Sequence, residues 1–95
     1  MISRTTQGFR TAFAQLPLEV KRQARRAYLL FVRDPHHPSL RFKPVHLREP
    51  IYSVRVSSDY RAVGFRTGDE MIWFWIGSHA DYDRLLSQRR HKRGK

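Results

Sequence analysis

The hydrophobic period of this chain changes once, at Asp34-Pro-His-His-Pro-Ser39, and that change decides its fold class. Upstream, Phe9, Ala12, Phe13 and Leu16 recur at i, i+3, i+4 and i+7, which is one face of a helix over residues 5–15. Pro17 suits the first turn of a second helix, where Val20, Ala24, Ala27, Tyr28 and Phe31 keep to one stripe. Lys21, Arg22, Arg25 and Arg26 lie mostly off that stripe. The second helix stops at Asp34, because a residue before proline avoids helical geometry. Two helices joined by so short a turn form an antiparallel pair.

Downstream the period is 2. Residues 40–45 alternate loosely, with Arg41 and Lys43 opposite Leu40, Phe42 and Val45. From Ile51 the alternation is cleaner: Tyr52, Val54 and Val56 share one face, Ser53, Arg55 and Ser57 the other. Ser58-Asp59 is a tight connection into a strand from Arg61 to Arg66, and Thr67-Gly-Asp-Glu70 is a hairpin turn. Residues 71–76 are apolar throughout, as in a central strand covered on both faces, with Trp73 and Trp75 expected on one face as core or as a base-stacking platform. Gly77-Ser78 breaks that strand, and residues 81–88 predict a short final helix in which Asp81 and Asp83 favour the N-terminal dipole. The expected architecture is α+β: two N-terminal antiparallel helices on a roughly four-stranded antiparallel sheet, with a short C-terminal helix. One sheet face buries against the helix pair and the other is expected to stay free.

At 95 residues the chain holds one domain, expected over 1–88, with a basic and mobile tail over 89–95. Its 19 Lys and Arg outnumber 8 Asp and Glu, a net charge of +11 that opposes compaction and favours a polyanionic partner. Without cysteine, disulfides and thiolate metal sites are excluded. No stretch approaches the roughly 20 apolar residues of a membrane span, and the N-terminus lacks the order of a signal peptide, so a cytoplasmic address is expected.

Arg55 interrupts an apolar strand and points away from the core, and Arg61 opens the next strand after a short connection. Neighbouring strands bring the two guanidiniums together, with Arg41 and Lys43 one strand earlier. Such residues serve either a solvated face or an anion site, because a guanidinium pairs its donors with phosphate oxygens. Among five histidines, His79 follows Gly77-Ser78 at the exit of the central strand, a rigid and accessible place for general acid–base work. Tyr82 lies three residues on. His36-His37 has no carboxylate or cysteine at metal spacing, so no metal is expected. No Ser-His-Asp order, glycine-rich phosphate loop or paired-carboxylate spacing is visible.

The run Tyr52-Ser-Val-Arg-Val-Ser-Ser-Asp-Tyr-Arg61-Ala-Val, then a hairpin, then Trp73-Phe-Trp-Ile-Gly-Ser-His79-Ala-Asp-Tyr82, resembles the RelE/ParE superfamily of bacterial toxins. The helix pair ending in Asp-Pro and the segment Ser39-Leu-Arg-Phe-Lys43 are similar too, so the resemblance spans residues 9–87. Gly77-Ser-His-Ala-Asp81 is most similar to YafQ-type ribosome-dependent mRNA interferases.

The resemblance implies a microbial-ribonuclease-like domain that cuts mRNA on the ribosome without metal or cofactor, through a 2′,3′-cyclic phosphate. It implies His79 as acid/base, Arg55 and Arg61 as phosphate ligands, and Tyr82 stacking on a base or orienting the phosphate. Arg41 and Lys43 are further RNA contacts. Ser53 stands where some relatives keep a lysine, which leaves His46 or His37 as substitute bases. An acidic antitoxin in a hetero-oligomer, with carboxylates meeting Arg55 and Arg61, is the implied partner. A ParE-like gyrase poison and a non-catalytic RNA-binding module are the competing expectations.

Overall fold

The computed structural model describes the backbone of residues 1–93 and the side chains of residues 1–88. Thr6 caps the first helix, its hydroxyl accepting from Phe9 N–H, and α1 runs Gln7–Ala14. Pro17 leads into α2, Leu18–Arg33, which ends at Asp34 as the Asp-Pro pair requires. The strands are β1 (Ile2–Thr5), β2 (Lys43–Pro44), β3 (Ile51–Ser57), β4 (Tyr60–Thr67) and β5 (Glu70–Ser78), followed by α3 (His79–Arg93). Their spatial order is β1-β5-β4-β3-β2.

Three elements depart from the sequence expectation. β1 is an additional edge strand, parallel to β5, and makes five strands where about four were expected. Ile2-Ser-Arg-Thr5 has no apolar alternation; backbone bonds hold it, with Ile2 N–H donating to Asp69 O and Thr6 N–H to Trp73 O, and one side-chain bond adds to them, from Trp73 Nε1 to Ser3 Oγ at 2.6 Å. The segment 40–45 is mostly not strand: a 3-10 turn at Pro38–Leu40 precedes a two-residue β2. The last helix starts at His79, two residues earlier than expected, and passes Gln88. The expected basic tail lies outside the described side chains.

Both sheet faces carry a core. The helix pair covers Val54, Ala62, Met71, Trp73 and Ile76, with Phe31 and Leu40 packed among them. On the opposite face Tyr82, Leu85 and Leu86 of α3 pack on Ile51, Val63, Phe65, Phe74 and Trp75. The second face, expected from sequence to stay free, is instead covered by α3.

A bulge decides which tryptophan faces which core. Val63 pairs with Trp75 while the next residue, Gly64, pairs with Trp73, so Phe74 is an extra residue in β5. Trp73 thus turns to the helix pair and Trp75 to α3, not to one common face. Gly64 is required there, because a Cβ would stand 2.7 Å from the carbonyl oxygen of Ile72.

Candidate active site

The ends of β3, β4 and β5 meet at one edge of the sheet, under the start of α3. Arg55 and Arg61 are direct partners across β3 and β4, and Arg61 is in turn opposite Gly77 of β5. Directly paired residues share a face, so both guanidiniums lie on the α3 side. Gly77 keeps that row low: a Cβ there would meet the Trp75 indole at 2.8 Å. Lys43 pairs with Ser53 on the same face.

Two interactions fix the start of α3. His79 N–H donates to Asp59 O in the β3–β4 turn at 2.7 Å, and Ser78 Oγ accepts from Asp81 N–H at 3.1 Å. Ser78 with Asp81 is a capping pair at N-cap and N3. His79 is consequently the first helical residue, about half exposed, with Nδ1 3.2 Å from the Asp83 carboxylate one turn on. Its ring meets Tyr82 edge-on at 5.8 Å. The carboxylate engages Nδ1 and orients the imidazole, whose side chain stays 46% exposed.

The electrostatics are those of a seat for an anion. Arg61 is held below its ordinary value first by burial, then by the facing Arg55 and by Arg41, while Tyr82 and Asp83 oppose that effect. Its Nη1 donates to Ser57 O at 2.6 Å and to Tyr60 O at 3.0 Å, which fixes the side chain and leaves Nη2 and Nε for a ligand. Arg41 takes left-handed backbone geometry at φ 48°, a strained conformation for a residue with Cβ. It is held there because Leu40 before it and Phe42 after it are anchored in the helix-side core. The N-terminal dipole of α3 adds to the positive potential.

Three expected site residues are placed elsewhere. Tyr82 is 6% exposed, and its hydroxyl donates to the buried Ser53 Oγ at 3.0 Å, so it belongs to the second core and presents no face for a base to stack on. His46 accepts at Nδ1 from the N–H groups of Arg48 and Glu49, with Nε2 3.5 Å from the Glu49 carboxylate; both ring nitrogens close the 46–49 loop. His37 Nδ1 accepts from Ser39 N–H and caps the 3-10 turn. Both imidazoles are thus engaged in contacts within their own loops. Two residues were missed: Asp83, which the i, i+4 spacing from His79 signals, and Ser78, signalled by Ser-x-x-Asp.

The sequence profile of the ParE-like toxin domain matches residues 18–84, from the start of α2 through the first turns of α3. The chain belongs to the ParE-like toxin domain family. The match includes Arg41, Arg55, Arg61, His79 and Asp83, so the whole candidate site lies within the ParE-like toxin domain. Solved structures agree in fold. YafQ from Escherichia coli superposes with a TM-score of 0.65 at 12% identity, covering 84% of this chain and 94% of that one. A chain of the RelB–RelE antitoxin–toxin complex from Methanococcus jannaschii gives 0.69 at 14%, covering 85% and 96%. A YoeB/ParE toxin from Agrobacterium tumefaciens gives 0.64 at 13%, covering 83% and 99%. No curated protein matches the sequence. The family is that of ParE-like toxins, and the fold is the one these RelE/ParE superfamily structures share.

Proposed function

We propose that this toxin domain is an endoribonuclease that cuts ribosome-bound mRNA by transesterification, and that an acidic antitoxin neutralises it. The observation that carries the reading is the His79–Asp83 pair standing over the directly opposed Arg55 and Arg61 on one sheet face. In the reaction the ribose 2′-oxygen forms a bond to the adjacent phosphorus and the bond from phosphorus to the 5′-oxygen breaks. A 2′,3′-cyclic phosphate and a free 5′-hydroxyl result. Arg55 and Arg61 bind the phosphoryl oxygens and stabilise the charge that builds on them. His79, oriented by Asp83, protonates the departing 5′-oxygen. Arg41 and Lys43 hold flanking phosphates.

His37 and His46 are committed to their loops, so the 2′-hydroxyl proton passes to water. A site with an acid and two arginines but no second imidazole depends on a substrate already aligned for in-line attack. The ribosome supplies that alignment, which accounts for ribosome dependence.

A second reading, a DNA gyrase poison, is favoured by the ParE-like family match. One purified sample distinguishes the two. Added to cell-free translation, the chain is expected to produce discrete mRNA ends with 2′,3′-cyclic phosphates, and His79→Ala to abolish them. Intact mRNA together with gyrase-dependent double-strand breaks supports the second reading instead.

A further inference from the structure

β3 outruns its neighbour at one edge of the sheet. Val45 N–H donates to Ile51 O, so every second residue of β3 from Ile51 turns its backbone groups toward the β2 side, and Arg55 is one of them. β2 begins at Lys43, the partner of Ser53, and does not extend to Arg55. The 3-10 turn at Pro38–Leu40 packs on β3 there instead, and α2 packs on β3 from the helix side. A pocket of about 310 Å³ remains between these three elements. Leu40 and Val56 give it an apolar floor. Gln23 and Arg26 of α2, Ser39 of the turn, and Arg55 and Ser57 of β3 line the rest. Val56 faces the helix pair and Arg55 the α3 side, so the pocket wraps round the sheet edge and adjoins the seat that Arg55 forms with Arg61.

The two arginines of this pocket are poorly neutralised. Glu19 is 3.8 Å from both Arg26 and Arg22, so one exposed carboxylate is divided between two guanidiniums. Among the described residues the Arg55 guanidinium has neither an ion pair nor a hydrogen bond. Ser39 is oriented by His37, whose Nδ1 accepts from Ser39 N–H and lies 2.9 Å from Ser39 Oγ. That nitrogen is therefore an acceptor, so the hydroxyl donates to it and keeps its lone pairs for a donor on a ligand.

We propose that this pocket is a nucleotide subsite, in which Arg26 and Arg55 bind a phosphate next to the reacting one while Ser39 and Gln23 bond the attached ribose. The volume is at the lower end for small-ligand sites, and paired guanidiniums beside hydroxyl and amide groups match one ribose-phosphate unit. The proposal rests on the endoribonuclease reading and extends its RNA path from the α3 face, over the β3 edge, onto α2. Arg26 holds substrate without meeting the reacting phosphate, so it acts on KM and not on kcat.

The probe is a fluorescein-labelled RNA tetranucleotide, read by anisotropy in the full chain carrying His79→Ala, which keeps the RNA intact. Saturable binding is expected. Arg26→Gln is expected to weaken it about tenfold and to lower the slope of log Kd against log salt by about 0.7. Arg22→Gln removes the same charge from the same helix outside the pocket and is expected to bind as the parent. Gln23→Phe fills the pocket without changing charge and, folded by circular dichroism, is expected to weaken binding as Arg26→Gln does. With His79 restored, Arg26→Gln is expected to raise KM on programmed ribosomes and leave kcat unchanged. Equal effects of Arg26→Gln and Arg22→Gln, parent-like binding by a folded Gln23→Phe, a fall in kcat at unchanged KM, or no RNA binding at all overturns the proposal. So does a tetraglutamate peptide that competes as well as unlabelled RNA, which would assign the pocket to an acidic protein. Binding is read without catalysis, so a chain that binds RNA through Arg26 but cuts no mRNA fails the nuclease reading alone.

Discussion

Arg55 and Arg61 stand directly opposite each other on adjacent antiparallel strands, so two guanidiniums occupy one point of the sheet. Like charges in this relationship oppose folding, by roughly 0.2–1 kcal/mol and toward the lower end where solvent screens them. An anion between them reverses the sign. The pair carries a cost in the free domain, and the proposed phosphate ligand would offset it.

Arg55→Ala is expected to raise the melting temperature of the free protein slightly at low salt. It is also expected to remove most of the stabilisation that inorganic phosphate confers on the wild type. Thermal melts with and without phosphate, at two ionic strengths, check both signs. A wild type indifferent to phosphate contradicts the anion seat.

The interaction of His79 with Asp83 predicts unequal losses. His79→Ala is expected to lower the cleavage rate by about 10²–10⁴, the range of a positioned acid or base. Asp83→Asn keeps the imidazole and loses its orienting carboxylate, so a smaller fall in kcat with KM unchanged is expected. Single-turnover cleavage on programmed ribosomes measures both, and equal losses would mean that Asp83 acts by itself.

Tyr82→Phe is expected to destabilise the domain by about 1 kcal/mol, because Ser53, 2% exposed, loses the hydroxyl that donates to it. Denaturant unfolding gives the value. Cleavage per folded molecule is expected to stay at the wild-type level, whereas a base-stacking tyrosine would depend on its ring and a phosphate-orienting one on its hydroxyl.

Asp81 is held below the usual carboxylate range first by Arg84 and then by the Ser78 hydroxyl. Its contribution to stability is therefore complete above the unfolded carboxylate value of about 4 and is lost as pH falls through the lower folded value. Asp81→Asn is expected to be less stable than wild type at neutral pH, with the gap closing below about pH 4. Melting temperatures of both proteins from pH 6 to pH 2 test this, and a gap that widens in acid contradicts it.

Much of this molecule was legible before any coordinates. The 3.6-residue stripes placed α1 and α2, Asp34-Pro35 ended the second helix, and strict alternation set β3 with Arg55 facing away from the helix pair. β1 escaped notice because backbone bonds to β5, rather than side-chain periodicity, hold it. Arg55, Arg61 and His79 were accessible as candidates because each interrupts or follows an apolar strand. Tyr82, His37 and His46 were not separable from them, since an aromatic or imidazole side chain looks the same in sequence whether it reaches solvent or closes a loop.

The order of apolar and charged residues by itself determined an α+β domain, its helix pair, its meander and its excess of positive charge, because periodicity and charge are local properties of a chain. Tertiary structure alone decided that a bulge at Phe74 sends Trp73 and Trp75 to opposite faces, that α3 buries Tyr82 on Ser53, and that His79 meets Asp83 above two arginines. Those outcomes depend on strand register and helix placement, which are fixed only when distant segments compete for the same buried volume.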